Sequence, residues 1–302
     1  MSGSASESRQ ARAARIAKLH LDTNHPQHMA IQSIQTTYRL RLVDAWRLEP
    51  GMRVLELGCG QGDMTTVLAD EVGPTGHVLA TDPAGGDYGA PVTLGEATAH
   101  VKAGPLGDRI DFKLNFDLDT AEFPTGKDAQ FDAVVLAHCT WYFASSEAIA
   151  HALARVRPWI KEGGKLCLAE WDLEPTEPRA HLPHLLSVLV QGQLVAAGLE
   201  GSGNVRTPLS RAAMMALVAE AGWTGSGGRK LAPKIVDTAG MQDGEWELHS
   251  ARHALAEARK QNLPRKVLDL AASQIDVMDS VKAAKVNLAL PAYAVVGYVK
   301  GE

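Results

Sequence analysis

The sequence predicts an α/β fold, a doubly wound and mostly parallel sheet covered by helices on both faces. Three observations predict it. Short apolar runs alternate with helical periodicity from Arg53 to Glu170, a glycine cluster directly follows the first of those runs, and a valine-rich run, Tyr293 to Val299, closes the chain. Strands alternating with helices at this spacing need right-handed crossovers, which build a parallel sheet whose ligand sites lie at the carboxyl ends of its strands.

Taken in order, residues from about Gln10 to Leu48 carry helical spacing, broken near Asn24-His25-Pro26 because proline restricts the residue before it. This is an N-terminal helical cap, residues 1–48. Arg53 to Leu57 reads as a buried strand, Gly58 to Gly62 as a loop and Met64 to Glu71 as the helix it opens. His77 to Asp82, Ile110 to Leu114, Phe131 to Ala137 and Lys165 to Glu170 read as strands two to five, with helices at Thr93 to Lys102 and Ser146 to Val156. Residues 49–172 thus form the core. Residues 173–302 complete the sheet and add helical insertions: Leu182 to Ala197, the stretch Leu199 to Pro208, Leu209 to Ala221, a weak strand near Lys230 to Val236, and two helical stretches between Glu245 and Ala289.

Composition narrows the function classes. Thirty Lys and Arg against 35 Asp and Glu leave a net charge of −5, and the basic residues are scattered, so a phosphate backbone is not an expected partner. No run reaches the ~18 apolar residues of a membrane span. Arg9, Arg12 and Arg15 superficially suit a transit peptide, but Glu7 among them and the lack of a cleavage cue argue against one. Cys59, Cys139 and Cys167 fall on strands or the tight loops after them, a pattern suited to a reducing cytoplasm. The expected protein is cytoplasmic, a monomer or homodimer.

The chemistry concentrates in Leu55-Glu56-Leu57-Gly58-Cys59-Gly60-Gln61-Gly62. Glycines at alternate positions after a strand let the backbone turn sharply and approach a ligand where a Cβ would collide. Asp82 ends the next strand, where a carboxylate can accept from two ribose hydroxyls. Nicotinamide cofactors use similar parts, but their G-x-G-x-x-G spacing would put a third glycine at position 63, which is Asp63. Glu56 suits a cationic amino group and has no use beside a pyrophosphate. No tyrosine has a lysine four residues later, which removes a common dehydrogenase pair.

Val54 to Gly62 resembles the first motif of the class I S-adenosylmethionine-dependent methyltransferases, and its usual companions recur. These are Asp82, Phe131-Asp132-Ala133-Val134-Val135, and Arg155 to Leu166, a turn into strand five interrupted here by Trp159 and Ile160. The resemblance covers roughly residues 40–172 and is nearest the small-molecule branch with the ubiquinone-biosynthesis enzymes. It implies a Rossmann-like sheet of seven strands with the last antiparallel, S-adenosylmethionine as methyl donor, S-adenosylhomocysteine as product, and a small-molecule acceptor with an oxygen, nitrogen or sulfur nucleophile. Gly58, Cys59, Gly60 and Gly62 then line the methionine and ribose portions, Glu56 meets the amino group, Asp82 the ribose and Pro83 the adenosine. Asn115-Phe116-Asp117 replaces the family's usual glycine-aspartate, and either Asn115 or Asp117 can reach the adenine amino group.

Methyl transfer chiefly requires holding the nucleophile in line and excluding water. His138, after strand four, is the candidate general base and also skirts the donor, while Trp141, Tyr142, Tyr38 and Tyr88 are candidates for the acceptor pocket, with core packing as the plain alternative. His25 with His28, and His181 with His184, have i,i+3 spacing, but without a fixed carboxylate or cysteine partner no metal is expected. Met214-Met215 reads as helix core. The helices outside the motif-bearing sheet are where specificity is expected. Two other readings of the same fold are a donor-binding enzyme with a non-methylating reaction and a binding subunit without turnover.

Overall fold

The structure, a computed structural model, describes residues 7–21, 25–122, 130–201, 204–282 and 289–299. Helices α1 (Arg9–Ala17) and α2 (Pro26–Trp46) precede β1 (Arg53–Leu57), α3 (Asp63–Val72), β2 (His77–Thr81), α4 (Leu94–Ala103) and β3 (Ile110–Lys113). Then come β4 (Phe131–Ala137), α5 (Ser146–Val156), β5 (Ile160–Trp171), α6 (Pro178–Ala196), α7 (Arg211–Glu220), β6 (Trp223–Thr224), β7 (Lys234–Val236), α8 (Asp243–Lys260), α9 (Arg265–Lys282) and β8 (Ala292–Val299). Residues 22–24, where the sequence breaks the N-terminal helix, lie outside the described residues; Pro26 opens α2 with His25 as its cap.

The sheet runs β3-β2-β1-β4-β5-β8-β6, with β7 also on β8. Strands β1 to β5 are parallel and β8 is antiparallel to β5. Among the described residues eight strands stand where seven were expected. The outer edge of β8 pairs with Trp223–Thr224 at Tyr298 and Val299, and separately with Lys234–Val236 between Ala292 and Ala294. A turn closed by Gly225 N donating to Arg229 O, with Gly227 and Gly228 at positive φ, splits this edge strand in two. β5 also starts earlier than the sequence suggests. Its pairing with β4 jumps from Phe131–Ile160 to Ala133–Lys165, so the Gly163-Gly164 turn is a bulge inside the strand.

Alternation along each strand feeds two cores. Val54, Val78, Ala133, Val135 and Cys167 face α1 to α4, while Leu55, Val134, Leu136, Leu166 and Val295 face α5 and α7. A third cluster, built from Val190, Leu194, Leu248, Leu255, Ile275 and Met278, joins α6, α8 and α9 outside the sheet. The N-terminal arginines are structural: Arg12 pairs with Asp70 and Glu71 at 2.7 and 2.6 Å, Arg15 with Asp70 at 2.8 Å, and Arg9 with Asp44, holding α1 onto α2 and α3. All three cysteines are free and buried. Among the described residues no helix is long and apolar enough to cross a membrane.

The chain winds outward from β1 to β3, then returns to add β4 and β5 on the other side. The strand order therefore reverses between β1 and β4, where an open α/β sheet leaves a crevice beyond its carboxyl ends.

Candidate active site

The glycine loop lies in that crevice. Gly58 N and Cys59 N both donate to Thr81 O, at 2.8 and 3.0 Å, so the loop is tied to the end of β2. Gly58 has φ 74°, and a Cβ there would meet the Cys139 Cβ at 2.6 Å, so glycine lets the loops after β1 and β4 touch. Gly62, at φ 92°, caps α3. Gly60 differs from both. It has φ 52°, and a Cβ there would find no atom within 4 Å. It borders a cavity of about 890 Å³, within the size range of small-molecule sites.

Asp82 joins the two sides of this crevice, its carboxylate accepting from Gly60 N and from Ala84 N, both at 2.9 Å. Gly58, Gly60, Asp82, Pro83, Asn115, Phe116, Asp117, Tyr88 and Tyr142 all border the cavity. Asn115, at φ 53°, donates its backbone N–H to Ala84 O, and Phe116 N donates to Asp82 O. The Asp117 carboxylate is committed to its own loop, accepting from Asp119 N and the Thr120 hydroxyl. That leaves the Asn115 amide the freer of the two polar groups proposed for this wall. Tyr88 reaches across to donate to Asn204 at 3.0 Å, so the glycine-rich loop after β2 meets the insertion after α6. Sequence reasoning missed Asn204 and Arg206 in this wall, because nothing local marks a distant insertion as part of it.

Glu56, Cys59, Gly62, His138, Tyr38 and Trp141 do not border this cavity. Glu56 is buried beneath it and accepts from the Thr65 hydroxyl at 2.6 Å; burial pushes its carboxyl up to about 7. Cys59 is 5% exposed and buries its thiol in the loop. Trp141 is buried with its Nε1 unpaired.

His138 occupies a second compartment beneath α2. Its Nε2 lies 2.7 Å from the Tyr38 hydroxyl and its Nδ1 3.1 Å from Glu170. Glu170 is buried and also accepts from Trp171 N and from the Thr140 N–H and hydroxyl. A carboxylate beside Nδ1 assigns that nitrogen the proton, so Nε2 accepts from Tyr38. Burial first, then the Glu170 charge, pushes the Tyr38 phenol well above its ordinary value, which keeps it protonated. Trp171 closes the compartment, with ring centroids 6.0 Å from Tyr38, 4.4 Å from His138 and 5.3 Å from His184. Tyr142 spans the two compartments. The residue as a whole is 46% exposed and borders the cavity, while burial of its phenol and the charges of Glu247, Glu170 and Asp243 push that group up.

Among the described residues there is no group of three or more His, Cys, Asp or Glu placed to hold a metal ion. His25 caps α2, and His181 and His184 use Nδ1 to accept from Glu177 N and Leu290 N.

A family profile described as a methyltransferase domain matches residues 54–164, and one described as protein-L-isoaspartate (D-aspartate) O-methyltransferase matches residues 19–84. Methyltransferase phomM of Diaporthe leptostromiformis is 29% identical over 214 residues, 57% of this chain and 53% of its own length. The ubiquinone/menaquinone biosynthesis C-methyltransferase UbiE of Vibrio cholerae is 26% identical over 158 residues, 51% of this chain and 55% of its own. The chain thus spans about half the length of these curated relatives. A cyclopropane-fatty-acyl-phospholipid synthase-like protein from Lactobacillus casei is 31% identical, with a TM-score of 0.82 over 96% of this chain and 99% of that one. The [4+2]-cyclase SpnF, 15% identical with a TM-score of 0.50, shares the fold. With the glycine loop, the carboxylate after β2 and an end-to-end relative all in agreement, the chain belongs to the class I S-adenosylmethionine-dependent methyltransferases.

Proposed function

We propose that the protein transfers a methyl group from S-adenosylmethionine to a small-molecule acceptor. One observation carries this reading: Gly60 turns a left-handed backbone toward a cavity of about 890 Å³, with open space where a Cβ would stand and Asp82 on its N–H. A nucleoside with a hydrophilic tail fits such a cradle. In this reading Asp82 accepts from the ribose hydroxyls, Pro83 and Phe116 flank the adenine, Asn115 meets its amino group, and Glu56 attracts the cationic amino group.

S-Adenosylmethionine, when bound, supplies an activated methyl group on a sulfonium. This chain orients the acceptor, excludes water and accepts a proton. Tyr38, His138 and Glu170 form the proton path. The Tyr38 hydroxyl relays to Nε2 of His138, and Glu170 stabilises the ring when it becomes charged. His138 thus acts through Tyr38, because its own Nε2 is occupied. Tyr142 and Trp171 flank the acceptor, and the Tyr88–Asn204 contact closes the donor side. Residues 49–172 hold the donor; 1–48 and 173–302 shape the acceptor site.

Isothermal titration with S-adenosylmethionine, S-adenosylhomocysteine and NADH tests the reading. Binding of both sulfur compounds and none of NADH is expected, followed by methyl transfer in an acceptor screen. Binding of NADH alone overturns it.

A further inference from the structure

Buried polar atoms without partners gather on one side of this protein. Among the described residues, Arg39 Nη1 on α2, Trp141 Nε1 after β4, His184 Nε2 and Gln191 Oε1 on α6, and Asp243 Oδ2 on α8 are five of the nine such atoms. Buried polar groups in folded proteins nearly always have a partner, so a cluster of orphans marks a place where something else completes them.

The packing ties these residues together. Gln191 Nε2 donates to Glu247 at 2.6 Å, joining α6 to α8, and a Cβ on Gly244 would touch His184 at 3.3 Å. His184 packs edge-on against Trp171, which packs against His138. The charges of Arg39 and His138 act on Asp243, and those of Asp243 and Glu170 on Glu247. Asp243 and Glu247 are four residues apart on α8, one helical turn, so both face this chamber.

Two of the orphans on α6 and α8 are acceptors, while the third, His184 Nε2, carries the ring proton because Nδ1 accepts from Leu290 N. Gln191, fully buried, gives its nitrogen to two acceptors, Glu247 and Ser187 O, which fixes the amide orientation and leaves Oε1 as a free acceptor. Asp243 Oδ2 is a second free acceptor. The Glu247 carboxylate takes the Gln191 bond on Oε2 and lies one helical turn from Asp243. The Gln191 carbonyl together with the Asp243 and Glu247 carboxylates suits the N–H donors of an ammonium ion.

We propose that this chamber is the acceptor site, and that the acceptor is an amine held as its ammonium ion by Asp243, Glu247 and the Gln191 carbonyl, with the Tyr142 ring against it. The inference rests on the methyl-transfer reading above. One ammonium proton passes to the Tyr38 hydroxyl as that hydroxyl gives its own to Nε2 of His138, and the nitrogen lone pair is freed. That pair forms the new N–C bond as the methyl–sulfur bond breaks with its electrons going to sulfur, and the product is the methylated ammonium.

Titration of the protein saturated with S-adenosylhomocysteine tests this, using benzylammonium and phenethylammonium beside the neutral benzyl alcohol and phenylethanol. The ammonium ions should bind about tenfold or more tightly than the alcohols, and Asp243→Asn and Glu247→Gln should each remove about that factor while S-adenosylhomocysteine affinity holds. If a variant does not fold, the ammonium-to-alcohol ratio of the unaltered protein decides alone. Equal affinity for alcohol and ammonium, unchanged ammonium affinity in folded variants, or no ammonium binding to protein that does bind S-adenosylhomocysteine overturns the proposal. Failure to bind S-adenosylhomocysteine overturns instead the methyl-transfer reading beneath it, and this inference with it.

Discussion

The Tyr38 hydroxyl on α2 lies 2.7 Å from Nε2 of His138, whose opposite nitrogen faces the buried Glu170 carboxylate. The contact joins residues 100 positions apart, so the N-terminal cap and the core share one hydrogen-bonded chain. Tyr38→Phe breaks that chain without changing the packing against Trp171. The orphaned Nε2 should cost about 1 to 3 kcal/mol of stability, read by thermal unfolding. Formation of S-adenosylhomocysteine with any acceptor that turns over should fall about a hundredfold, while donor affinity changes little. Unchanged turnover would reduce Tyr38 to a packing residue.

Gly58 and Gly60 separate folding from binding. Both hold positive φ, but a Cβ on Gly58 collides with Cys139 whereas one on Gly60 enters open space. Gly58→Ala should therefore destabilise the protein by about 2 to 4 kcal/mol, from backbone strain plus overpacking. Gly60→Ala should lose only about 1 to 2 kcal/mol, yet bind S-adenosylhomocysteine about tenfold or more weakly because its methyl group occupies ligand space. Denaturant melts and titrations on the same two variants check both halves. A Gly60→Ala protein with full affinity would remove the ligand from that side of the loop.

Much of this was legible in the sequence because it is local. Strand β1, strand β4 and helix α5 occupy the same residues that periodicity assigns, since each has one strong pattern and clear boundaries. The divided edge strand was not legible, because Trp223–Thr224 is two residues long and is a strand only through its pairing with β8. The glycine-loop side of the cavity follows a contiguous motif. Glu170, Arg39, Asp243 and Glu247 follow none: they meet through tertiary packing of α2, β5 and α8, and an acidic residue on an amphipathic helix looks like surface until the helix is docked. Glu170 alone left a trace, as a carboxylate directly after the apolar run Leu166 to Ala169 of β5.

Asp82 holds Gly60 N and Ala84 N with its two oxygens. Asp82→Ala removes both the ribose acceptor of the proposed complex and the brace between the two loops. S-Adenosylhomocysteine binding should weaken by about 1.5 to 3 kcal/mol, the scale for hydrogen bonds to a charged group. Asp82→Asn, which keeps one oxygen, should lose less. Calorimetric titration of both variants decides, and affinity equal to that of the unaltered protein in Asp82→Ala would remove the ribose contact from this residue.

Glu56 should make donor binding depend on pH. Burial, opposed by the Thr65 hydroxyl and Arg39, pushes its carboxyl up to about 7 in the folded protein. A folded value above the unfolded one means that its contribution to stability is full below about 4.5 and is lost as pH rises through about 7. Glu56→Gln, which resembles the protonated form, should then leave the melting temperature unchanged in acid and raise it near pH 8. Donor binding has the opposite sign, because a cationic amino group favours the ionised carboxylate. Affinity for S-adenosylhomocysteine should be level above pH 7 and fall toward pH 5.5 by up to about tenfold per unit, with a proton released on binding. The Glu56→Gln profile should be flat and weak. Titrations in buffers of different ionisation enthalpy count the released proton directly, and an unaltered protein whose affinity ignores pH across this range would take Glu56 out of the amino-group contact.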